Sequence, residues 1–124
     1  MVMKKIILIL ICLIGLSVTA QTEKELVGKW ILVKWTKNGR NQDIKAQFKT
    51  TQVLQIFSEN GDFESRIGSD SQYSKWKLSK NNTELIVVDP SVSITSSIDY
   101  FDTKKRVITS EMGTFEYKKI PDAE

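Results

Sequence analysis

Apolar and β-branched residues recur along the chain in runs of five to eight, and each run ends in a cluster of turn-forming residues. Alternation of apolar and polar positions predicts strands at 29–37, 51–58, 62–68, 72–79, 83–89, 92–101, 105–111 and 114–120. Glu59-Asn60-Gly61 predicts a three-residue hairpin in which Gly61 takes the left-handed conformation, and that register sets Phe57 opposite Phe63. Lys80-Asn81-Asn82 and Asp102-Thr103-Lys104 are further polar turns, and Asp89-Pro90 ends a strand because proline cannot donate to a ladder. Ahead of the strands, Thr22 and Glu25 stand at capping-box spacing, so one short helical turn is expected there, with Gly28 free to end it. The long link is 38–50, where Asn38-Gly39 turns the chain and Ile44 and Phe48 share one side of a possible helical turn.

Short links make sequence neighbours antiparallel neighbours in space. The predicted fold is therefore all-β: an up-and-down meander of about eight strands. Closing it into a small barrel removes its edges. Such a barrel is just wide enough to hold side chains or one small ligand.

Alternation also assigns faces. Trp30, Leu32 and Lys34 share one face of the first strand, with Trp35 on the other. Phe57, Phe63, Trp76, Leu78, Phe115 and Tyr117 can meet the first set inside. These nine residues form either a packed core or the wall of a ligand cavity. An inward Lys34 would need a counter-ion, water or an anionic ligand head. Trp35 would lie beneath the 38–50 link or stand exposed as a contact surface.

The 124 residues suggest a single folded unit preceded by a leader. Lys4 and Lys5 form a positive start, Ile6 to Leu16 an apolar stretch, and Val18-Thr19-Ala20 a peptidase site, so residues 1–20 read as a cleaved signal peptide. Residues 21–124 form the domain, exported to the periplasm or beyond, with no membrane span after cleavage. Cys12 follows Leu10 and Ile11 rather than small residues, so it fills the apolar stretch rather than carrying a lipid. It leaves with the leader, and no disulfide is expected in the domain. Loss of Lys4 and Lys5 leaves 16 basic residues against 15 acidic ones, which gives little reason to expect nucleic acid as a partner.

The chain has no histidine, which removes Ser-His-Asp and Cys-His catalysis and the commonest zinc ligand. Ser74-Lys75-Trp76-Lys77 matches the S-x-x-K spacing of some acyl-enzymes, but in a strand Ser74 and Lys77 point to opposite faces. Asp62 and Glu64 share a face with Arg66 and read as a solvated, partly neutralised surface. Glu59, Asn60 and Asp62 lack the spaced ligand series of a calcium loop. No Gly-rich phosphate loop is present, and no cofactor is expected.

Four short motifs carry a family resemblance. They are Leu26-Val27-Gly28-Lys29-Trp30, Phe57-Ser58-Glu59-Asn60-Gly61-Asp62-Phe63, Trp76-Lys77-Leu78, and Phe115-Glu116-Tyr117. Together the chain resembles the lipocalins and fatty-acid-binding proteins, and especially the small exported bacterial lipocalin-like domains. Ser74 stands where that pattern has glycine, and only Lys118 or Lys119 is available as the basic residue that stacks on the tryptophan from the last strand. The resemblance implies a barrel in which Gly28 turns the chain inward and Trp30 plugs one end. It also implies a non-enzymatic protein that binds a small hydrophobic or amphipathic ligand. The alternative is a filled-barrel protein–protein interaction or inhibitor module that uses its outer surface and takes no small ligand.

Overall fold

A computed structural model describes residues 22–89 and 91–121. The proposed leader, with Cys12, lies outside the described residues. Within them, no helix is long and apolar enough to cross a membrane.

Helix α1 (Glu23–Leu26) opens the domain. Its start is fixed by a reciprocal cap: the Thr22 hydroxyl accepts from Glu25 N at 3.3 Å, and Thr22 N donates to Glu25 Oε1 at 3.2 Å. Strand β1 (Gly28–Lys37) follows, then the two-residue strand β2 (Arg40–Asn41) and helix α2 (Ile44–Phe48). Asn38 and Gly39 both have positive φ, 54° and 76°, the conformation that folds a tight hairpin between β1 and β2. The Asp43 side chain caps α2 by accepting from Ala46 N at 3.1 Å.

Seven strands remain: β3 (Val53–Phe57), β4 (Asp62–Ile67), β5 (Asp70–Leu78), β6 (Glu84–Val88), β7 (Ser93–Phe101), β8 (Lys105–Ser110) and β9 (Gly113–Ile120). Each pairs antiparallel with the next, β3 pairs with β1, and β9 returns to pair with β1. The result is a closed barrel of eight strands with β2 as an extra strand beside β1. All eight predicted strands form within two residues of the expected bounds at either end. The hairpin register sets Phe57 opposite Phe63, their rings 5.0 Å apart, and Gly61 takes a φ of 93°.

One feature of β1 overturns the expected faces. Leu32 pairs with Tyr117, but Lys34 pairs with Glu116, so Val33 is an extra residue on β1. A bulge of this kind shifts side-chain parity by one. Lys34 therefore points to solvent, and Trp35 turns inward, 8% exposed. The expectation that Lys34 continues the Trp30–Leu32 face is wrong, as is the placing of Trp35 on the opposite face.

Inside the barrel, Leu26, Trp30, Leu32, Val53, Phe57, Phe63, Trp76, Leu85, Phe101, Ile108 and Tyr117 form one continuous cluster. Leu78 and Phe115 pack against it from partly buried positions, as do Ile44 and Phe48 of α2.

Candidate functional site

The two ends of the barrel are built differently. At the end that carries α1, the Trp30 indole is completely buried and donates from Nε1 to Leu26 O at 2.9 Å. Lys119 reaches the same place from β9. Its Nζ lies 5.2 Å from the centre of the Trp30 ring and donates to Glu25 O at 3.2 Å and Val27 O at 2.7 Å. The lysine thus ties the last strand to α1 while covering the indole. Gly28 makes room for it: φ is 131°, and a Cβ there would lie 2.8 Å from Lys119 Cε. Of the two lysines that the sequence offered from the last strand, Lys119 is the one that lies over Trp30.

At the other end α2 lies over the core. Ile44 and Phe48 rest on the core, and the Phe48 ring lies 5.6 Å from that of Trp35. Trp35 stacks on Phe115 at 5.4 Å and donates from Nε1 to Met112 O at 2.9 Å. The 38–50 link therefore covers Trp35, as one of the two sequence expectations held.

Between the ends lies a residue that alternation pointed to but the sequence analysis did not single out. Arg106 on β8 shares the parity of Ile108, faces inward and is 0% exposed. It reaches across the interior to β3, where Nη2 donates to Gln55 Oε1. Its Cζ lies 5.0 Å from the Trp30 ring centre, 4.9 Å from Phe57 and 4.5 Å from Tyr117. Nε and Nη1 are buried with no hydrogen-bond partner. No carboxylate among the described residues pairs with it. Burial pulls its pKa down to about 10, so it keeps its charge at neutral pH. Burial also pushes the Tyr117 phenol up to about 12, against the pull of the neighbouring guanidinium.

The nine sequence-nominated residues separate in this setting. Trp30, Leu32, Phe57, Phe63, Trp76 and Tyr117 lie together in the buried cluster, and Leu78 and Phe115 flank it. Lys34 is outside. Trp76 is also anchored, donating from Nε1 to Ser58 O at 3.0 Å. A depression of about 620 Å3 lies at the α1 end, lined by Glu23, Lys24, Glu59, Trp76 and Lys119 among others, and of the nine it includes Trp76 alone.

The acidic residues on β4 are engaged with one another's neighbours. Glu64 accepts from Arg66 Nε at 2.9 Å and Ser71 Oγ at 2.7 Å, and Asp62 pairs with Lys75. The Ser71 hydroxyl, then Arg66, hold the Glu64 carboxyl below its usual range. Ser74 is half-buried while Lys77 is exposed, so the S-x-x-K pair is split across the sheet.

Comparison with family models and with curated proteins returns no match.

Proposed function

We propose that this protein is an exported, non-enzymatic lipocalin-like carrier that holds a small hydrophobic or amphipathic molecule in its barrel. The observation that carries the reading is the inequality of the two ends. One is locked by a buried indole, a capped helix and a lysine bridging two backbone carbonyls. The other is covered by a five-residue helix whose apolar residues are only half-buried. A container needs one fixed end and one that can open. The apolar, aromatic interior suits a greasy guest. Export rests on the leader, and N-terminal sequencing of protein recovered outside the cytoplasm should begin at Gln21.

The test is binding of phenylnaphthylamine, an uncharged apolar dye. Its emission should rise on entry, and it should quench the buried tryptophans. Absence of both effects at saturating dye would remove the carrier reading.

A second reading is a filled barrel that docks a protein. It draws on exposed Val92, Ile94 and Met112, which line a groove of about 390 Å3 at the α2 end. Ile94→Lys should then abolish binding of the partner while the circular dichroism stays that of the parent.

A further inference from the structure

We infer that the open edge of β7 pairs with the same edge of a second copy of this chain, as a two-fold antiparallel ribbon centred on Ile94, so that the occupant of the groove in the docking reading, on which this inference rests, is the chain itself.

Strand β7 outruns β8. Its pairing with β6 covers Ser93 to Ser97, but its pairing with β8 starts only at Ser97, opposite Thr109. Ser93 to Ser96 therefore have a neighbouring strand on one side and none on the other. Residues of an antiparallel strand turn their N–H and C=O groups to the two sides in alternation. Ile98 N donates to Thr83 O, and Val92 O accepts from Asp89 N, both toward β6. Val92, Ile94, Ser96 and Ile98 thus bond on the β6 side, and Ser93 and Thr95 turn both of their backbone groups to the open one. The groove of about 390 Å3, lined by Val92 to Thr95 and by Ser110 to Met112, lies along that open side.

An open edge invites another strand, and chains that stay single place charge or proline on it. Two other open stretches here are charged: β2 carries Arg40, and the part of β5 that β6 does not reach, Asp70 to Ser74, begins with Asp70. From Ser91 to Ile98 there is no charge at all. Val92 and Ile94, at alternate positions, are 52% and 50% exposed.

This edge fits itself. A two-fold axis through Ile94 sets Ser93 of each copy opposite Thr95 of the other, and each such pair exchanges two hydrogen bonds. All the backbone groups that the edge presents are then satisfied. Ile94 meets its counterpart as a non-hydrogen-bonded pair, the closer of the two spacings, with both side chains on one face. No charge opposes another along the ribbon, and the symmetry needs only one sequence. The contact is small beside a standard interface of about 1,600 Å2, so the association is weak.

Sedimentation equilibrium of the purified protein should show monomer and dimer with a dissociation constant on the order of 100 µM. Thr95→Pro removes an N–H that faces the open side and none that faces β6. It should weaken the dimer by about ten-fold or more, whereas Thr95→Ala, which keeps the N–H, should stay within about two-fold of the parent. The register is tested by charge. Ile94→Lys and Ile94→Glu should each be monomeric where the parent is dimeric, and an equimolar mixture of the two should dimerise again. Circular dichroism should match the parent in all four variants. A parent that stays monomeric up to millimolar concentration would overturn the self-pairing. So would equal effects of Thr95→Pro and Thr95→Ala, or a charge mixture that stays monomeric. These outcomes leave the docking reading standing, since a strand of another protein can use the same edge; that reading falls if Ile94→Lys leaves its partner bound.

Discussion

The guanidinium carbon of Arg106 lies 5.0 Å from the centre of the Trp30 ring, both side chains being fully buried. A cation on an indole gains from the ring quadrupole, but that gain does not cover the loss of water from five donors. Arg106→Met keeps similar length and removes the charge. It should leave the fold intact and raise unfolding stability by about 1–4 kcal/mol, read as a higher urea midpoint at unchanged slope. A lower midpoint would mean that the guanidinium helps to hold the core together.

The bulge at Val33 sets up a contrast between adjacent residues. Lys34→Ala should change stability by no more than about 0.5 kcal/mol, as for other exposed positions. Trp35→Ala removes a buried ring that stacks on Phe115 and packs at a tilt against Phe48, and should cost about 3–5 kcal/mol. Thermal unfolding followed by circular dichroism measures both. Similar losses at the two positions would contradict the parity shift.

Three glycines with positive φ should rank by what stands where a Cβ would go. At Gly113, with φ 118°, it would collide with the Thr36 carbonyl, a backbone atom that cannot step aside. At Gly28 it would meet the Lys119 side chain, which can move but would lose its two carbonyl contacts. At Gly39 nothing lies within 4 Å, so only the backbone conformation resists. Alanine substitution should therefore destabilise in the order Gly113, Gly28, Gly39, the last by about 1 kcal/mol. Guanidinium unfolding curves of the three variants give the order directly.

Stability should be nearly flat from pH 6 to pH 8, about the interval in which only histidine ordinarily titrates, since the chain has none. Acid should weaken the fold. Glu64 and Asp102 have folded pKa values below the usual carboxylate range, the latter because the Tyr100 hydroxyl and two backbone N–H groups bond its carboxylate. Their contributions are complete above that range and lost as pH falls through the folded values. Glu64→Gln should make the acid loss shallower.

At the alkaline side two buried groups oppose each other. Between pH 10 and 12 the unfolded phenol ionises while folded Tyr117 stays protonated, so Tyr117 loses stability as pH rises. Arg106, lowered to about 10, shifts stability the other way over the same interval. Arg106→Met should therefore steepen the alkaline loss, as seen in urea midpoints across that range.

The strands were legible because one face of each is buried and the other wet, and because polar turns separate them. Phe57 opposite Phe63 followed from the position of Gly61 alone. Lys34 and Trp35 were misplaced because a bulge depends on how two distant strands meet, and β9 lies some eighty residues from β1 in sequence. Arg106 was within reach: Arg106 and Ile108 have one parity, Lys105 and Val107 the other. An arginine on the apolar parity reads as a rim residue until the barrel closes over it. Its stacking on Trp30 and its bond to Gln55 join three strands and have no local trace.

Closure of β1 against β9 also bears on the order in which the molecule assembles. The first strand synthesised cannot complete its ladder until the final one exists, and the loop to be closed is nearly the whole domain. Such long-range pairing slows folding and leaves two bare edges in every shortened chain. Molecules ending before Gly113 should accumulate as aggregates rather than as partial barrels.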